Sequence, residues 1–227
     1  MSPTSEPAVA DLQTVADGCL LVSHRLSEWM SKAPTMEEDI ALGNIALDLL
    51  GQARGLLQTI GEEDRLAYFR EAQEFRNPLI CELPNGDFGH TVLRQLFVDA
   101  WLAEVWPALA ATAADDAVRG VAEKAVKENA YHLRHSSSWV LRLGDGTEES
   151  NRRMRAALDA LWPYRGEIAT PQWYDRVEPV LAEATLPAPD HDAWTQRSSD
   201  DGWHSEHLGY LLAEMQSLAR AHPEATW

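Results

Sequence analysis

The chain has 227 residues, enough for one domain of ordinary size with a core of its own. Lys and Arg number 19 against 36 Asp and Glu, and the net charge of −17 argues against nucleic acid or an acidic membrane surface as partner. Cys19 and Cys81 stand far apart and outside any Cys-x-x-Cys pair, which excludes a disulfide framework and fits a reducing compartment.

The first thirteen residues, MSPTSEPAVADLQ, carry neither a basic n-region nor an apolar h-region, so no signal peptide is expected. A first helix is expected over about residues 9–32. Leu12, Val15, Cys19, Val22, Leu26 and Trp29 recur at three-to-four spacing, and Pro34 stops it. A second helix opens with a capping box, Thr35-x-x-Glu38, and runs to about Ile60, where Gly61 suits the C-terminal cap. It is apolar on two faces: Leu42, Ile45, Leu49, Leu56 and Ile60 form one stripe, and Ile40, Leu47, Leu50 and Leu57 another. Such a helix is buried by neighbours on several sides. Asn44, Asp48 and Gln52 nevertheless line up along it at i, i+4 and i+8.

A short helix is expected within residues 62–75, and Asn77-Pro78 and Pro84-Asn85-Gly86 mark a loop. A third long helix covers about 88–113, with a kink expected at Pro107. Its apolar stretch, 96–114, is interrupted by Asp99, Glu104 and Pro107, so it is not a membrane span and a cytoplasmic protein is expected. Asp115 or Asp116 caps a fourth helix ending near Leu143. Shorter helices are expected over 147–161 and 171–184, an extended wrap over 186–202, and a last helix over about 203–221. Strand-like alternation is nearly absent. The expected fold is therefore all-α: an up-down helical bundle with additional shorter C-terminal helices, in a single domain spanning 1–227.

Helical bundles often house di-iron sites, in which two helices each supply a Glu-x-x-His pair because i and i+3 share a face. No Glu-x-x-His occurs here. Asp87-x-x-His90 and Asp201-x-x-His204 occur outside any bundle-core context. The nearest remnant is on the fourth helix, where Glu128, Asn129 and His132 sit near the apolar side. A paired core histidine is the leading reading, ahead of a metal ligand or an acid–base group. In the row Asn44, Asp48 and Gln52, amides and a single carboxylate hold iron poorly, so a buried hydrogen-bond network is expected. His204, Glu206 and His207 read as a surface turn, in which His204 and His207 could share an ion. The basic run Arg152, Arg153 and Arg155 reads as a solvated face, with a phosphate contact, such as to CoA, as the alternative.

The segments DGCLLVSHRLSEWMSKAP, DIALGNIALDLLGQARGLL, LPNGDFGHTVLRQLFVDAW, AVKENAYHLRHSSSWVLRLGDGT and HSEHLGYLLAEMQSLAR together resemble the C subunits of the bacterial multicomponent phenylacetyl-CoA epoxidase. The resemblance covers nearly the whole chain and is weakest over residues 163–199. It implies a ferritin-like fold and a division of labour. In that complex a catalytic A subunit of similar fold holds the di-iron site, and the C subunit is its structural partner. A small B subunit and a reductase carrying flavin and an iron–sulfur centre complete the system. Oxygen and NADPH serve to epoxidise the ring of phenylacetyl-CoA. No cofactor is expected in the C subunit itself.

Setting the ligand pattern Asp-Glu-Leu-Gly-His over residues 48–52 puts Leu49 at the Glu slot and Gln52 at the His slot. Setting Lys-Glu-Glu-x-x-His over 127–132 puts Asn129 at the Glu slot and keeps only His132. The expectation is a non-catalytic subunit with a degenerate di-iron site. The alternatives are a self-sufficient di-iron or di-manganese oxidoreductase using Asp48, Glu128 and His132, and a helical binding module unrelated to oxygen chemistry. The first two helices, through Leu20, Leu21, Trp29 and Leu42, are the expected contact with the catalytic partner.

Overall fold

The computed structural model describes residues 11–196 and 202–225; Val9 and residues 197–201 of the expected wrap, Asp201 among them, lie outside them. Among the described residues there are helices and no strand. Helices α1 (Leu12–Ser27) and α2 (Met36–Ile60) form one long hairpin. A short α3 (Glu63–Tyr68) follows, and α4 (Phe88–Thr112) with α5 (Asp116–Gly144) form a second hairpin. The hairpins meet where α2 lies against α5, completing the all-α, ferritin-like bundle. Shorter helices α6 (Glu148–Leu161) and α7 (Pro171–Glu183) cover α4 and α5, and α8 (Glu206–Met215) and α9 (Ser217–Ala221) end the described chain. α4 is buried nearly all round because α5, α6 and α7 all pack on it, which is why it is the most apolar helix. It continues through Pro107 to Thr112.

The caps fall where the sequence signals them. Asp87 accepts from the His90 amide at 2.8 Å, Asp115 from the Ala117 amide at 2.7 Å, and Thr170 from the Trp173 amide at 3.1 Å. Only half of the box at α2 is made. Thr35 accepts from the Glu38 amide, but the Glu38 carboxylate crosses to His135 Nε2 at 2.8 Å. α1 ends at Ser27, earlier than its periodicity suggests. Residues 28–32 continue as turns, and Ser31 has a φ of 66°. The Trp29 side chain turns to α4, where its Nε1 donates to Thr91 Oγ1 at 3.0 Å and its ring meets Phe88 edge-on.

Buried charges fasten the connections. Arg70 clasps the fully buried Asp17 with two nitrogens, while the Arg76 amide adds a third donor at 2.9 Å. Arg94, buried at the start of α4, donates to the Leu83 carbonyl and Asn85 Oδ1, both at 2.6 Å. Burial lowers its guanidinium to about 10, and the nearby charge of Arg25 helps. Arg165 reaches the carbonyls of Trp162, Asp190, His191 and Ala193 and stacks on Trp162, so residues 186–196 are strapped onto the bundle.

The partner surface expected from sequence needs correction. Leu20, Leu21 and Leu42 are at most 1% exposed, because they fill the α1–α2 contact and the bundle core. Trp29 is likewise tied down within the chain. The most open apolar residues of α2 are Met36, Ile40 and Leu47, which share one face and are 73%, 58% and 66% exposed; Ile60, at the end of the helix, is 42% exposed. Gly43, between Ile40 and Leu47, leaves open space where a side chain would stand.

Candidate functional site

Four helices bring polar groups together in the middle of the bundle. α2 contributes Asp48 and Gln52, α5 contributes Glu128, Asn129, His132 and Ser136, α4 contributes Gln95 and Asp99, and α1 contributes Cys19. His132 is fully buried, and its Nε2 lies 3.1 Å from Asp48 Oδ2. A carboxylate facing Nε2 places the ring proton there, so the imidazole donates to Asp48. Glu128 does not pair with His132. Its Oε2 accepts from Gln52 Nε2 at 2.9 Å, and its Oε1 meets Lys124 Nζ at 2.8 Å. On the other side of Gln52, Oε1 accepts weakly from the Cys19 thiol at 3.8 Å. Burial pushes that thiol well up, with the charge of Asp99 adding to it, so Cys19 is a small core donor here.

Beneath this layer sits Asp99, fully buried on α4. Its Oδ1 accepts from Gln95 Nε2 and its Oδ2 from Ser136 Oγ, both at 2.7 Å. Burial raises its carboxyl to about 6, against the lowering effects of His132 and of the two hydrogen bonds. Asn129 Nδ2 donates to the Asp99 backbone carbonyl at 3.0 Å. Asp99 and Gln95 are the members that the sequence patterns missed. Their signal was an isolated i, i+4 polar pair inside the most apolar helix.

The donor set does not fit a pair of iron ions. Such a site needs four carboxylates and two imidazoles converging on open positions. Leu49 is apolar and fully buried, and Gln52 and Asn129 are amides already engaged with Glu128 and Asp99. Among the described residues no group of three or more His, Cys, Asp or Glu side chains is placed to hold a metal ion. The arrangement is a hydrogen-bonded core that ties α2, α4 and α5 together.

The chain matches the family described as "Phenylacetic acid catabolic protein" over residues 2–172 and 169–227. It belongs to that family. It is also 39% identical over 240 residues to the C subunit of 1,2-phenylacetyl-CoA epoxidase from Escherichia coli (strain K12), covering 94% of this chain and 96% of that protein.

The other candidate residues resolve differently. His204 lies before α8, not within it, and the cap of that helix is Ser205. Both ring nitrogens of His204 already face protein oxygens, which leaves it no lone pair for an ion shared with His207. Glu206 is exposed on the first turn of α8. Arg152 and Arg153 are both held by Glu149 at 2.7–2.8 Å, and Arg155 by Asn151 and the Thr185 carbonyl. Asp87 and His90 are accounted for by the α4 cap and a contact of His90 Nδ1 with the Asn85 carbonyl at 3.0 Å. No helix among the described residues is long and apolar enough to cross a membrane.

Proposed function

We propose that this chain is the structural C subunit of a phenylacetyl-CoA epoxidase in phenylacetate breakdown, and that it performs no redox chemistry itself. It pairs with a catalytic A subunit of similar fold that carries the di-iron site. A small B subunit and an NADPH-fed reductase with flavin and an iron–sulfur centre complete a cytoplasmic complex, and phenylacetyl-CoA is met only through that complex. Family membership and the similarity to the C subunit of an epoxidase support the assignment. The observation that carries the non-catalytic role is the content of the ligand slots. Leu49, Gln52 and Asn129 stand where carboxylates and an imidazole would be needed, and the polar ones are spent on internal hydrogen bonds. In this reading the partner lies along Met36, Ile40 and Leu47, an apolar strip exposed among the described residues.

Co-expression with a candidate catalytic partner, followed by size exclusion and metal analysis, tests the reading. The expected result is a stable heteromer whose iron stays with the partner when the two are separated. Stoichiometric iron in the isolated chain would instead establish a self-sufficient oxidoreductase using Asp48, Glu128 and His132.

A further inference from the structure

We infer that His204 is a proton-operated latch that fastens α8 and α9 to the bundle. Its Nδ1 lies 2.8 Å from Glu82 Oε2, and its Nε2 lies 3.1 Å from the Phe75 carbonyl. Both partners are acceptors. An imidazole meets two acceptors only by donating from both nitrogens, which requires the imidazolium. Glu82 is completely buried and also receives the Asn77 side-chain amide at 3.0 Å and the Ser205 backbone amide at 2.5 Å. Three donors hold its ionised form, and His204 supplies the matching positive charge. Loss of the proton would leave a ring lone pair facing an oxygen and a buried carboxylate stripped of its counter-charge.

The latch sits at the entry to the C-terminal helices, so its state bears on their docking. The other fastenings are of a different kind. Gln216 donates to the carbonyls of Ala67 and Arg70. Arg220 meets Glu71 and the carbonyls of Tyr68 and Arg70. None of these changes charge near neutral pH. Glu167 adds negative potential at His204. On α1, His24 faces Glu28 and Glu214 of α8, and burial lowers its pKa, so charging it opposes docking on the acid side. His204 behaves oppositely. Burial alone would lower it, but the hydrogen bond and charge of Glu82 outweigh burial and raise it. Its contribution is fully present below the ordinary histidine value of about 6.5 and is lost as pH climbs through the raised value.

The experiment uses the full chain labelled with 15N. At pH 6 both ring nitrogens of His204, identified by loss of their signals in His204→Gln, should be protonated. Amide exchange in α8, corrected for intrinsic rates, should reveal severalfold more opening at pH 8.5 than at pH 6. His24→Gln should retain that rise, and His204→Gln should abolish it. A neutral ring at pH 6, or an unchanged rise in His204→Gln, overturns the latch. Should His204→Gln release the segment at every pH, Glu82→Gln decides: the His204 ring should turn neutral at pH 6, and a persistent imidazolium there refutes the assignment.

Discussion

His132 and Asp48 meet at 3.1 Å across the α2–α5 contact, whereas Glu128, one turn before His132 on its own helix, faces away to Gln52 and Lys124. Residues at i and i+4 share a helix face, so an in-helix Glu128–His132 contact was sterically open. The bundle instead uses each side chain to reach a different neighbour. Asp48 lies at the rim and the imidazole fully inside, so the contact joins solvent-side charge to the core.

Replacing His132 by alanine should therefore destabilise the chain by about 1–3 kcal/mol, through a lost hydrogen bond and a cavity. Asp48 is partly exposed and rehydrates, so no buried anion is orphaned. Urea denaturation measures the cost. Activity of the assembled complex should fall only as far as assembly falls. An intact fold with abolished turnover would give His132 a chemical role.

Asp99 makes the opposite kind of contribution. Its carboxyl is raised from 3.8 to about 6 by burial, so the folded chain binds the proton more tightly than the unfolded chain does. The sign follows: stability is greatest below pH 4 for this group and falls as pH rises toward 6. Asp99→Asn removes that loss, with an upper bound of about 3 kcal/mol above pH 6. The new amide still accepts from Gln95 and donates to Ser136, whose hydroxyl turns to the His132 carbonyl at 3.1 Å. Melting temperatures from pH 5 to 7.5 should be flatter in Asp99→Asn than in the parent. A steeper profile would contradict the burial argument.

Much of the bundle was legible because local chemistry and burial agree. Thr35, Asp115, Thr147 and Thr170 cap the helices they precede, and Gly61 closes α2. The end of α1 was not legible, because Trp29 leaves the helical course to bond Thr91, a residue 62 positions away. The polar row on α2 announced a network, but its deepest member, Asp99, was masked by the apolar run around it. Both stripes of α2 could be read, yet not which one faces α1 and α5. That choice is tertiary, and it placed Leu42 inside and Leu47 outside. His204 was read as surface because its partner Glu82 lies 122 residues away.

Arg165 tests the strap. Its guanidinium is fully buried and satisfies the carbonyls of Trp162, Asp190, His191 and Ala193 together with the Tyr174 hydroxyl. Lysine has the charge but not the planar fork. Arg165→Lys should therefore loosen residues 186–196, raising limited proteolysis there severalfold while the helical signal of the bundle persists. Equal protease resistance in the two proteins would mean that the strap is held by other contacts.

Core and interface are separable by substitution in the α1–α2 hairpin. Ile40 and Leu47 are largely exposed, so Ile40→Glu and Leu47→Glu should change the stability of the isolated chain by no more than about 0.5 kcal/mol. A buried carboxylate has no such freedom: Leu21→Glu places one in a fully closed site and should unfold the α1–α2 hairpin. The contrast makes the partner experiment interpretable. Thermal melts followed by circular dichroism establish which variants remain folded. Size exclusion with the proposed catalytic partner then shows which have lost it. Ile40→Glu and Leu47→Glu should melt like the parent and elute alone, because a partner that closes over this strip would have to bury the new charge. Co-elution of both folded variants would move the interface off α2, toward the exposed aromatic residues Trp203 and Tyr210 at the C-terminal end.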